Sequence, residues 1–194
     1  MASAFSHVIV ATALGKMAQP KQVPWWYWAL GAIVSVLPDL DVISDHFGID
    51  CGYLWAHRCI THSLPFAIFL SLLVSSLFLR QNKISFFRLF LFLALSTASH
   101  GVLDAMTYGG NGVAFFSPFS NVRYYFPFHP IEASPIGISE FFSEDGWSVI
   151  QSEAVWLWIP LLVLFAGIPI VRRLRAGYSA VRPLSGIRGE HDTE

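Results

Sequence analysis

The chain has 194 residues, 54% of them hydrophobic and only 13% charged, with a formal net charge of −1. Soluble domains carry roughly 25% charged residues, so this composition excludes an ordinary soluble globule and predicts a membrane protein. With 12 Lys and Arg against 13 Asp and Glu, it also offers no broad basic surface for nucleic acid.

The first apolar stretch is Phe5–Ala18, which carries His7. It falls short of the roughly 20 residues a spanning helix needs, so it spans, lies in the interface or dips in. The first basic residue, Lys16, comes near the end of this stretch rather than preceding it, so no cleaved signal peptide is expected. The second segment, residues 25–44, closes on Pro38-Asp39-Leu40-Asp41. Proline disfavours helix before it, so the helix should bend or break around Val36–Pro38 and let Asp39 and Asp41 point the same way. Two carboxylates so close repel each other unless a cation lies between them. The plain alternative is a water-exposed turn, where Asp is common and where Asp45 and Asp50 fit better than Asp39.

His57-Arg58-Cys59-Ile60-Thr61-His62-Ser63 leads into the third segment, residues 63–79. Ser63 or Thr61 can cap this helix, and Pro65 is tolerated in its first turn. Arg58 suits bidentate binding of a phosphate, or else snorkels to the interface. Cys51 and Cys59 share one loop, as free thiols or as a disulfide. The fourth segment, residues 86–106, carries His100 and Asp104 at i, i+4 spacing. That spacing puts both side chains on one helix face, as a metal chelate requires, and both donors suit zinc. The alternative is a His–Asp hydrogen bond that packs two helices. Phe115–Phe142, rich in aromatics, Pro and Gly, reads as an interfacial lid, a re-entrant loop or an aromatic belt. The last segment, residues 154–171, runs into Arg172, Arg173, Arg175, Arg182 and Arg188, the usual cytoplasmic anchor of a membrane helix.

The sequence therefore predicts an all-α, polytopic helical membrane protein of four to five segments in one bundle. It is read as a single domain over 1–194, with an aromatic-rich outer connection (107–153) and a basic cytoplasmic tail (172–194). Placing Lys16, Lys21, Arg80, Lys83, Arg88 and the five C-terminal Arg in the cytoplasm leaves only Arg58 and Arg123 outside. Every polar cluster then falls at the outer end of its segment, on the periplasmic or exterior face. Intramembrane His and Asp usually face a polar cavity, so their convergence predicts one site. His46, His129 and His191 have no partner at helical spacing and stay outside it.

His7, Pro38-Asp39-Leu40-Asp41, His57-Arg58-x-x-Thr61-His62-Ser63 and His100-x-x-x-Asp104 together resemble the YdjM family of membrane-bound metal-dependent hydrolases. The resemblance covers about residues 1–110 and the final span. Through that family the chain is distantly similar to zinc-dependent phospholipase C. The resemblance implies that His7, Asp39, His62, His100 and Asp104 are metal ligands, with Asp41 and His57 close by. No second His-x-x-x-Asp pair follows Asp104, so one or two ions are expected rather than three.

The function expected on this basis is hydrolysis of a phosphoester or lipid-linked substrate at the outer leaflet of the inner (plasma) membrane. A divalent metal, zinc by its donor set, would activate water, with Asp41, His57 and Arg58 as catalytic residues. The alternative is a non-enzymatic protein that binds or conducts metal ions or protons through the same cluster. Such a conduit needs polar residues across the whole bilayer, and the inner halves of these segments offer little beyond Ser35, Ser71, Ser75, Ser76 and Ser96. The membrane lipid is the expected partner. The oligomeric state is not legible.

Overall fold

The computed structural model describes residues 1–18, 22–48, 55–80, 83–108, 111–135 and 137–180. It forms two compact units, Met1–Trp158 and Ile159–Glu194. The first contains α1 (Ala4–Ala18), α2 (Trp25–Val36), a 3-10 helix (Leu37–Val42), α3 (Ile43–His46), a 3-10 turn (Ile60–His62), α4 (Leu64–Leu77) and α5 (Phe86–Ala105). Two short strands follow, β1 (Thr107–Tyr108) and β2 (Ile131–Glu132), paired in parallel, then α6 (Ile138–Phe141), α7 (Glu144–Glu153) and a π-helical turn (Ala154–Trp158). The described part of the second unit is α8, Ile159–Ala180.

Three helices of the first unit, α1, α2 and α4, pack against α5. Tyr27, Val34, Leu89, Phe92 and Leu93 form the main apolar cluster. At its centre Phe92 stacks on Tyr27 with ring centroids 4.2 Å apart. A Cβ on Gly31 would lie 2.3 Å from the Phe92 ring, so only glycine lets α2 approach α5 this closely. The outward faces of α4 and α5 stay apolar and exposed, with Ile68, Phe69, Leu72, Leu73, Phe87, Leu91 and Leu95, as lipid contact requires.

The expected segments are present as helices, with different ends. Pro38 stops α2 at Val36 and diverts the chain into a 3-10 helix that carries Asp39 and Asp41. Ser63 caps α4, its hydroxyl accepting from Phe66 N–H at 3.2 Å, and Pro65 sits in the first turn. Among the described residues two stretches are long and apolar enough to cross a membrane, Phe86–Ala105 and Glu144–Pro169, while Ala4–Ala18 and Leu64–Leu77 are shorter apolar helices. At 1.5 Å per residue the 14 residues of α4 cover about 21 Å, less than a hydrocarbon core of about 30 Å. Among the described residues, two of the four to five expected segments thus reach full spanning length.

The connection over 107–153, expected on the outer side, holds more structure than anticipated. Its last ten residues form α7, capped by Ser143 and acidic in its first turn, which suits the positive helix N-terminus. Cys51, Asp50, Lys21 and residues 181–194 lie outside the described residues, as do the side chains of Asp45, His46 and Arg172, Arg173 and Arg175.

Candidate metal centre

Five side chains from four helical elements meet at one end of the helix packing. His7 comes from the first turns of α1, Asp39 from the 3-10 helix after α2, His62 from the turn before α4, and His100 and Asp104 from the end of α5. The meeting depends on a close approach at Gly101, where a Cβ would lie 2.8 Å from the His62 carbonyl oxygen. A larger residue there would push the His62 turn away from His100.

His62 Nε2 and His100 Nε2 lie 3.0 Å apart. Asp39 Oδ1 is 3.2 Å from His100 Nε2 and 3.8 Å from His62 Nε2. Asp104 Oδ2 is 3.3 Å from His62 Nε2 and 3.9 Å from His100 Nε2. Ligands bound to one tetrahedral ion at 2.0–2.1 Å sit about 3.3 Å from each other, so these four atoms are spaced as one coordination shell. His62, His100 and Asp104 are fully buried, while Asp39 is 13% exposed and marks the side from which solvent reaches the group. Asp39 Oδ1 and Asp104 Oδ2, the oxygens turned toward the histidines, have no hydrogen-bond partner. Buried polar atoms are nearly always paired, so this pair of carboxylate oxygens points to a cation between the four groups.

The tautomers agree with that reading. His100 Nδ1 donates to the Ser35 carbonyl at 2.7 Å, and His62 Nδ1 faces Asp41 Oδ2 at 3.1 Å. Each ring therefore carries its proton on Nδ1 and turns an Nε2 lone pair inward, as metal-binding histidines do. Two lone pairs 3.0 Å apart repel unless a cation sits near both. Against the cost of burial, Asp104, Asp39 and Asp41 around His62 favour a positive charge there, raising its pKa while no ion is bound, and a cation at Nε2 would take the place of that second proton. Such a carboxylate-rich cage demands positive charge.

Asp41 and His57 stand behind His62 rather than beside the four-ligand group. Asp41 Oδ1 meets His57 Nδ1 at 2.5 Å, and Oδ2 accepts from the Thr61 hydroxyl and from Arg58 N–H at 3.2 Å. Asp41, His57 and His62 also form a second cluster of metal-ligating type. Arg58 is buried and adopts a left-handed backbone, with φ of 62°. Its Nε lies 3.7 Å from Asp104 Oδ2, and its Nη2 donates to Thr107 Oγ1 at 3.2 Å. His7 reaches the group from the other side, stacked on His100 at 3.9 Å.

Several supporting residues were not legible in the sequence. Arg123 ties the aromatic connection to the site loop, donating to the His57 carbonyl and Gly112 carbonyl at 3.3 Å each and to Cys59 Sγ at 2.9 Å. Glu153, fully buried at the end of α7, accepts from Ser3 N–H at 2.5 Å and from Ser3 Oγ at 2.6 Å. The signal that singled out the other acids, a carboxylate abutting an apolar run, also applies to Glu153 before Ala154. His129 does not join the site; its ring packs against Tyr125 at 5.9 Å.

The fold and site define a class: a mostly helical membrane protein with a buried His/Asp group able to hold a metal ion. The chain belongs to the YdjM inner membrane protein family, whose profile matches residues 1–176. It is 35% identical over 164 residues to Inner membrane protein YbcI of Escherichia coli (strain K12), covering 84% of this chain and 95% of that protein. Family membership and the two long apolar helices support an inner-membrane location. No solved structure matches the chain.

Proposed function

We propose that the chain is a membrane-bound metal-dependent hydrolase, with its site at the outer, periplasmic leaflet and its C-terminus in the cytoplasm. The observation that carries this reading is the four-atom shell of Asp39, His62, His100 and Asp104, with two carboxylate oxygens left unpartnered in a buried site. The donor set of imidazole and carboxylate suits zinc. A bound divalent ion would supply Lewis acidity to a phosphoester and lower the pKa of water.

The chain's own residues divide the remaining work. Asp41 fixes His57 through Nδ1, which leaves His57 Nε2, on a side chain 15% exposed, to hold or pass a proton. Arg58 neutralises a phosphoryl oxygen from its place beside Asp104. The substrate class best matched to a site at the end of apolar helices is a phospholipid or a lipid-linked phosphoester. A phosphoesterase screen of the zinc-loaded protein in detergent tests the reading: turnover that disappears in His100→Ala supports it. Stoichiometric metal without turnover on any ester counts against it.

One observation favours a second reading, a non-enzymatic ion or proton path. The hydroxyls of Ser71 and Ser75 on α4 and Ser96 on α5 are buried without partners and extend polarity away from the metal group. Proton or zinc flux into liposomes carrying the protein, abolished by Ser96→Ala, would support the path over the hydrolase.

A further inference from the structure

The two aspartates each divide their oxygens in the same way. Asp39 presents Oδ1 to the His62/His100 pair and Oδ2 to His7 Nε2, 4.0 Å away. Asp104 presents Oδ2 to the same pair and Oδ1 to His7 Nε2, 3.6 Å away. Both carboxylates therefore have one oxygen on each side of a plane between His100 and His7. Those two rings stack at 3.9 Å with an interplanar angle of 21°. Paired metal ions bridged by carboxylates sit about 3.5–4 Å apart, so the ring spacing matches one imidazole per ion.

His7 itself has no other occupation. It is fully buried, and neither ring nitrogen has a hydrogen-bond partner. A histidine kept only for packing would satisfy at least one nitrogen. We propose that the site takes a second divalent cation on the His7 side, held by His7 Nε2, Asp39 Oδ2 and Asp104 Oδ1, with Asp39 and Asp104 bridging the two ions. This rests on the reading that Asp39, His62, His100 and Asp104 hold the first. The second ion has three protein ligands, so its remaining positions are open to water or to a phosphoryl oxygen entering past Asp39.

The first turn of α1 is fixed in a manner that serves this position. Glu153 holds Ser3 through both backbone and hydroxyl, Trp158 Nε1 donates to Ser6 Oγ at 2.8 Å, and His7 N–H bonds the Ser3 carbonyl at 3.3 Å. Glu153 and Trp158 are therefore positioning residues for His7. Asp104 Oδ1 also accepts from Ala2 N–H at 2.9 Å, which orients the same carboxylate and leaves its second lone pair for a cation.

The test uses the full chain in detergent, stripped with chelator and titrated with zinc, with manganese as a spectroscopic probe. The parent should bind two equivalents, and the dimanganese form should give an exchange-coupled paramagnetic resonance signal. His7→Ala should bind one equivalent and show only an uncoupled signal. Glu153→Gln, which keeps the shape of the clamp, should bind its first ion as the parent does and its second at least about 10-fold more weakly. One equivalent in the parent, unchanged in His7→Ala, would overturn the second ion and leave the first site standing. Two equivalents that persist in His7→Ala would overturn it as well. No bound metal in the folded parent would remove the underlying reading together with this one.

Discussion

The Nδ1 nitrogen of His100 donates to the Ser35 carbonyl across 2.7 Å, and this bond sets which edge of the ring the site receives. Ser35 is in the last turn of α2, where carbonyls lose their intrahelical partners, and Pro38 ends the helix just beyond it. One proline thus frees a carbonyl to orient His100 and turns Asp39 toward the same ring. The equivalent support for His62 comes from Asp41.

Asp41→Asn should therefore weaken metal binding without changing the number of ions. The amide cannot polarise His62 as a carboxylate does, and losses from such orienting partners run about 10–100-fold in metal affinity. Competition titration of zinc against a chelator of known affinity measures this. An affinity equal to the parent's would show that His62 needs no carboxylate behind it.

Gly101→Ala and Gly31→Ala separate stability from site assembly. Both insert a methyl group into a close approach, against the His62 carbonyl in one case and the Phe92 ring in the other. Overpacking of this kind costs about 1–3 kcal/mol, so both variants should melt earlier in detergent. Only Gly101→Ala should also lose zinc affinity, because its clash moves a ligand-bearing turn. Equal loss in both would mean that the site merely reports global stability.

Glu153→Ala should destabilise the fold more than Glu153→Gln does. It leaves Ser3 N–H and Oγ without their acceptor, at a cost of about 1–3 kcal/mol for a buried donor, whereas the glutamine oxygen can still accept one bond. Chemical denaturation monitored by tryptophan fluorescence ranks the three proteins. A Gln variant as unstable as Ala would show that the charge, not the hydrogen bond, holds the turn.

Removing metal should lower the melting temperature and adding zinc should restore it. Asp39 and Asp104 are brought together in a buried group, and a ligand that binds only the folded state stabilises it by mass action. Arg58→Lys should keep this metal-dependent stabilisation, since Arg58 touches the group only at 3.7 Å from Asp104 Oδ2. On a phosphoester the same variant should fall at least about 10-fold in kcat/KM, because an ammonium cannot reproduce the guanidinium fork. Undiminished activity would remove Arg58 from the proposed chemistry.

Much of the site was legible because chemistry and hydropathy conflict there. His100 and Asp104 share a helix face by spacing alone, and Pro38 announced the break that carries Asp39 and Asp41. Charge bias predicted that the clusters gather at one end of their segments, and the helices bring His7, Asp39, His62, His100 and Asp104 together. Supports made through backbone atoms left no trace of that kind. The Ser35 carbonyl has no side-chain signature, and Gly101 reads as a helix-weakening residue until the His62 turn is seen against it. Segment lengths were overestimated where apolar residues continue past a helix end, as at Phe78 and Leu79 after α4. Glu153 abuts an apolar run as the other acids do, but it belongs to α7, which begins ten residues before that run and has a polar sequence of its own.

Metal analysis of the purified chain beside a His100→Ala/Asp104→Ala variant tests the central claim most directly. Stoichiometric zinc in the parent and none in a variant that still folds, as judged by its circular dichroism, is the predicted result. Metal retained in the variant at the parent's level, or no metal in the folded parent after exposure to zinc, would contradict it.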